Sequence, residues 1–154
     1  MTGLAVLSAY FDGSVRDDDH DTAAYVVTTT ADGWPHAAMV GVGELRVTAD
    51  GAARVALWER STTVANLRRD GRALLLVAVD GRAVRARLSL TAAGFIDGGG
   101  AGRLALFAGA VTQATVDDAP YAEVVSGLRF RLRDPAPTLT RWRATQELIA
   151  RPLT

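Results

Sequence analysis

The chain is patterned mainly as β-strand. Residues Val84, Ala86, Leu88 and Leu90 alternate with Arg85, Arg87, Ser89 and Thr91, a two-residue period that places one face inward and one toward water. Ala24 to Thr30 is rich in β-branched and aromatic residues and carries no breaker. Arg54–Trp58 and Arg103–Val116 read as further strands, and the almost unbroken apolar run Ala73–Val79 as a central one. Asp32-Gly33, Asp50-Gly51 and Asp80-Gly81 are hairpin turn signals between them. His36 to Thr48 reads as one strand, in which Gly41 and Gly43 signal a bulge, a sharp barrel bend or the close approach of a ligand. Phe130–Arg133 reads as a brief last strand.

Helical signals are fewer. Ser61 is a good N-cap, Val64 and Leu67 share a face, and Gly71 can end the helix they define. Such a short helix must be held by packing on the strands. Pro120–Ser126 reads as a second short helix before Gly127, and Leu139–Ile149 as a terminal one with Leu139, Trp142, Leu148 and Ile149 as its apolar stripe. Repeated hairpins with little helix between them predict a mainly β, antiparallel barrel or sandwich.

At 154 residues the chain fits one domain, 1–154, able to bury its own core without a staple. It is 49% hydrophobic and 22% charged, and its 17 basic residues balance 17 acidic ones, so nothing points to nucleic acid or to an acidic membrane surface. The apolar run Leu4–Phe11 is too short to span a membrane and has no basic flank. A cytoplasmic location is the resulting expectation. Cysteine is absent, which excludes thiolate chemistry and Cys-based metal sites. Lysine is absent as well, so a bound anion must be held by arginine, hydroxyls or backbone amides.

The start of the Ser61 helix can hold an anion. Its first amides have no helical partner, the helix dipole favours negative charge, and Arg60, Ser61, Thr62 and Thr63 stand beside it. Equally, Ser61 can simply cap the helix while Arg60 faces water. His20, within Arg16-Asp17-Asp18-Asp19-His20-Asp21, reads as part of a solvated loop rather than a metal cage. His36 is either a strand-edge side chain or a donor to a ligand. Arg129, Arg131 and Arg133 read as a charged strand edge that resists aggregation. No residue stands out as catalytic.

The order Ala24-Tyr25-Val26-Val27-Thr28-Thr29-Thr30, then Asp32-Gly33-Trp34-Pro35-His36, then Ser61-Thr62-Thr63-Val64-Ala65-Asn66-Leu67-Arg68-Arg69-Asp70-Gly71-Arg72 resembles the pyridoxamine-phosphate-oxidase-like FMN-binding split-barrel family. The resemblance covers roughly residues 22–95. It implies a six- to seven-stranded antiparallel split barrel with a few short helices, working as a homodimer with FMN at the subunit interface. It further implies that the phosphate sits at Arg60, Ser61, Thr62 and Thr63, and that the ring lies along the second strand near Ala38, Met39 and Val40. Trp58 would wall the pocket, and Arg85 or Arg87 would reach the ribityl or phosphate portion. The implied function is a flavin-dependent oxidoreductase of unknown substrate. The alternatives are a non-catalytic flavin- or ligand-binding barrel and a deazaflavin-dependent reductase.

The family's lysine two positions after the serine is Thr63 here, a basic residue usual near Ala38 is missing, and so is a lysine near Gly43. The Arg-Leu-x-Pro ending is not reproduced by Arg151-Pro152-Leu153-Thr154. These departures argue against genuine pyridoxamine phosphate oxidase activity.

Overall fold

A computed structural model describes residues 1–153. Seven strands form a single sheet in which every neighbouring pair is antiparallel: β1 (Ala24–Thr29), β2 (Pro35–Val40), β3 (Leu45–Val47), β4 (Ala52–Trp58), β5 (Arg72–Val79), β6 (Arg82–Asp97) and β7 (Arg103–Asp117). The order across the sheet is β2-β1-β5-β6-β7-β4-β3. Its two edge strands, β2 and β3, follow one another in the chain, so the sheet bends round until they are joined by the turn Gly41–Glu44. The inward residues of all seven strands, including Val26, Val40, Leu45, Val55, Leu75, Leu88 and Phe107, make one core.

The expected strand at His36–Thr48 is therefore two strands that pair with different partners, β2 with β1 and β3 with β4. The two glycines mark the corner between them. Two other expectations fail. Pro120–Ser126 forms no helix, and Phe130–Arg133 forms no strand; the backbone there makes only an isolated bridge, Thr22 to Arg129. Pro120–Ser126 is short and mostly exposed, so it cannot bury enough surface to hold a helix, whereas Phe130 and Leu132 pack on the core through their side chains while their backbone joins no strand.

Three α-helices flank the sheet: α1 (Gly3–Tyr10), α2 (Thr62–Asp70) and α3 (Pro135–Ile149). The N-terminal apolar run is thus a helix. Thr2 caps it, and Val6, Leu7 and Tyr10 are buried in the core. Helix α2 ends at Gly71, whose φ of +70° only glycine adopts without strain and whose N–H donates to the Leu67 carbonyl at 2.8 Å. Helix α3 begins with proline, where the missing N–H costs nothing, and buries Leu139, Trp142, Thr145, Gln146 and Ile149 along one stripe.

Helix α3 is fastened over the β2–β3 corner by polar groups as well as by packing. Gln146 Nε2 donates to the carbonyls of Val42 and Leu45 at 2.8 and 3.0 Å, both in buried surroundings. Arg54 Nη1, reaching from β4, donates to the carbonyls of Ile149 and Arg151 at 2.7 and 2.6 Å and so closes the helix C-terminus. No helix among the described residues is long and apolar enough to cross a membrane.

Candidate functional site

Helix α2 starts at the end of β4, where Trp58 is followed by a tight turn through Glu59 and Arg60. Ser61 is extended, at φ −74° and ψ 153°, and its Oγ accepts from Val64 N–H at 3.2 Å. Ala65 N–H goes to the Ser61 carbonyl, so among the described residues the amides of Thr62 and Thr63 are left without a protein acceptor. The helix is pinned from behind: Asn66 Nδ2 donates to Thr28 Oγ1 at 3.0 Å in the core, and Arg69 bonds both Asn66 Oδ1 and the Thr29 carbonyl. Its N-terminus cannot drift away from the sheet.

That N-terminus opens onto a cleft of about 400 Å³, within the range of small-ligand sites. Ala38 and Met39 of β2 line it, with Ala56, Leu57 and Trp58 of β4, and Ser61 and Thr63 of α2. Gly98 and Leu104, flanking the β6–β7 hairpin tip, form another wall, and α3 closes the cleft with Arg141, Trp142 and Thr145. Thr63 is only 1% exposed, and its Oγ1 is a buried hydroxyl without a hydrogen-bond partner. Such an orphan costs roughly 1–3 kcal/mol, so the fold carries an acceptor-seeking group beside two free amides.

Glu44 also lines the cleft, at the β2–β3 corner. Its Oε2 accepts from Gly41 N–H at 2.8 Å. Burial is the dominant influence on its acidity and holds the carboxyl above its ordinary range, against the smaller opposing pull of the Gly41 N–H and the Arg141 guanidinium.

The cleft brings together five of the residues singled out from the sequence: Ala38, Met39, Trp58, Ser61 and Thr63. Val40 belongs to β2 but points into the core. Arg60 and Thr62 are exposed beside the helix start without lining the cleft. Arg85 lies elsewhere: with Arg72 and Arg87 it lines a second groove of about 830 Å³ on the outward faces of β1, β5, β6 and β7, where it pairs with Asp117 at 3.1 Å. Gly41 and Gly43 make room for Trp142 of α3.

His36 stands opposite Thr28 in the β1–β2 ladder and does not line the cleft. His20 Nδ1 lies 3.1 Å from the Arg16 carbonyl, and Asp21 pairs with Arg129. Among the described residues no three His, Asp or Glu side chains converge as metal ligands would.

Sequence reasoning did not find Glu44, Arg141, Trp142 or Thr145. A lone acid after Gly-x-Gly in an apolar stretch was the available signal for Glu44. Nothing local places the polar side of α3 against a distant cleft.

No family model matches the chain. The uncharacterized protein YclD of Bacillus subtilis (strain 168) is 32% identical over 140 residues, which cover 91% of this chain and 90% of YclD. The chain belongs to the YclD family. Among solved structures, the crystal structure of an FMN-binding protein from Syntrophomonas wolfei subsp. wolfei superposes with a TM-score of 0.52 at 12% identity, covering 75% of this chain and 86% of that one. At that identity the likeness establishes the fold: this member of the YclD family has the split-barrel architecture. An F420 reductase gives a TM-score of 0.48 at 11% identity over 62% of this chain and 90% of its own, too weak a likeness to argue from.

Proposed function

We propose that this protein binds FMN in the cleft at the start of α2 and acts as a flavin-dependent oxidoreductase, as a homodimer. The observation that carries the reading is the start of α2 at the cleft, where Thr63 is a lining residue, the amides of Thr62 and Thr63 have no protein acceptor, and the buried Thr63 Oγ1 has no partner. The dipole of α2 adds to them, and a phosphate group is the ligand these donors suit. Ser61 is occupied with its capping bond, so its part is to shape the helix start. Arg60, exposed and next to the cap, adds charge at the rim.

Ala38 and Met39 on β2 and Trp58 on β4 form an apolar wall fit for a planar ring. Val40 backs that wall from the core side. Arg85 then belongs with the outer groove or with a second copy of the chain. Trp34 and Trp58 are 71% and 55% exposed, and Met39 and Tyr25 on the same β1–β2 hairpin are also exposed, which supports burial of this face in a dimer.

When bound, FMN supplies the hydride or electron chemistry itself. The chain's residues bind and orient it: the α2 start holds the phosphate, β2 and Trp58 fix the ring plane, and α3 keeps bulk water from the inner end. A deazaflavin, whose ring would use the same wall of Ala38, Met39 and Trp58, is the second reading.

The test is a titration with FMN by fluorescence quenching, for the wild type and Thr63→Val. The reading expects wild-type binding and at least about a tenfold loss in the variant, as for one hydrogen bond to a charged group. Equal affinities would remove Thr63 from the site. Bleaching of the bound flavin by a reduced nicotinamide would mark a catalyst, and its absence with every donor tried would mark a carrier.

A further inference from the structure

The lysine that the family resemblance implies two positions after Ser61 is Thr63 here, yet an arginine, Arg141, lines the same cleft. We propose that Arg141 supplies the positive charge of the phosphate seat, and that Glu44 enters that seat as the neutral acid, donating a hydrogen bond to the same phosphate; this rests on the flavin reading above.

Arg141 is half-buried on α3 and lines the cleft with Ser61 and Thr63. Among the described residues it has no hydrogen bond and no carboxylate within 4 Å, although several other arginines of the chain are paired. A five-donor fork lining a cleft, with Glu44 acting on it only from beyond ion-pair distance, suits an anion that can accept two of its bonds. The aliphatic stem of Arg141 passes near Gly99 at the tip of the β6–β7 hairpin, where an added Cβ would lie 3.7 Å from its Cγ. The side chain is thereby held between the hairpin and the cleft.

Glu44, at the β2–β3 corner, lines the same cleft. Gly41 N–H occupies Oε2, which leaves the other oxygen to carry the acid proton. Charge arithmetic favours that form. A phosphate monoester brings about −1.5 to −2 near neutral pH. An ionised Glu44 would cancel Arg141 and repel the ligand, whereas the neutral acid adds a donor. Burial of Glu44 acts in the same direction. The seat then comprises Thr63 at the start of α2, the Arg141 guanidinium and the Glu44 O–H. None of these is a lysine.

FMN and riboflavin, which differ only in the phosphate, are titrated against the full chain and three variants. Arg141→Gln should weaken FMN at least about tenfold and leave riboflavin unchanged. Glu44→Gln, which still donates but cannot ionise, should hold FMN within about threefold of wild type. Glu44→Leu, with no donor, should lose FMN selectively. Unchanged riboflavin affinity reports that each variant is folded. FMN binding indifferent to Arg141→Gln overturns the proposal and leaves the flavin reading standing. A loss in Glu44→Gln as large as in Arg141→Gln overturns the neutral-acid role. Wild type that binds neither flavin overturns the flavin reading, and this proposal with it.

Discussion

The indole of Trp142 occupies the space a side chain at Gly43 would fill. A Cβ built on Gly43 would lie 2.0 Å from Trp142 Cγ, and one on Gly41 would lie 2.8 Å from Trp142 Cη2. This contact joins the sheet corner to α3, and α3 in turn brings Arg141 and Thr145 to the cleft. The Gly-x-Gly corner therefore builds the site even though its glycines do not line the cleft.

Gly43→Ala should destabilise the protein by about 1–3 kcal/mol, the usual cost of overpacking. Trp142→Ala should cost about 3–5 kcal/mol through the cavity it leaves. Urea unfolding curves measure both. If Gly43→Ala is neutral, α3 is free to move off the corner, and the cleft wall is not fixed as described.

Gln146→Leu should cost about 1–3 kcal/mol, because the buried carbonyls of Val42 and Leu45 lose their shared donor. Hydrogen exchange should show the amides of α3 opening more readily in this variant than those of β5, which pairs on both sides.

Thr63→Val should move stability and binding in opposite directions. It removes an unpartnered buried hydroxyl at nearly constant shape, so the unliganded protein should gain on the order of 1 kcal/mol. The same change should weaken FMN. A residue that merely packs would lose both or neither.

Glu44 should make stability pH-dependent. Its folded-state pKa is shifted upward, chiefly by burial, and Arg141 is the charged side chain that opposes the shift. The folded state therefore holds its proton more tightly than the unfolded state. The associated stability is fully present below the unfolded pKa and is lost as pH rises through the folded one. Thermal melts from acid toward neutral pH should show this decline in the wild type, and Glu44→Gln should flatten it. A wild-type curve that rises through this window, with the Gln variant parallel, contradicts the assignment.

Much of the fold was legible because strand alternation and Asp-Gly turns are local signals. Val84–Thr91 alternates cleanly, and the Ser61-to-Gly71 helix announced both of its caps. The corner at Gly41–Glu44 was half legible. Its glycines flagged an irregularity, but the partner that required them lay about a hundred residues downstream. Pro120–Ser126 misled because proline and glycine bracket turns as readily as helices. Helix α3 was read for its apolar stripe alone. That stripe says which side is buried, but not that Arg141 beside it lines the cleft at the start of α2.

Native mass spectrometry of the full chain after incubation with FMN reads subunit count and bound flavin together. It should show a dimer carrying one FMN per subunit, with the flavin mass shift largely abolished in Arg141→Gln. A monomer that takes up no flavin at any concentration tried would contradict this reading.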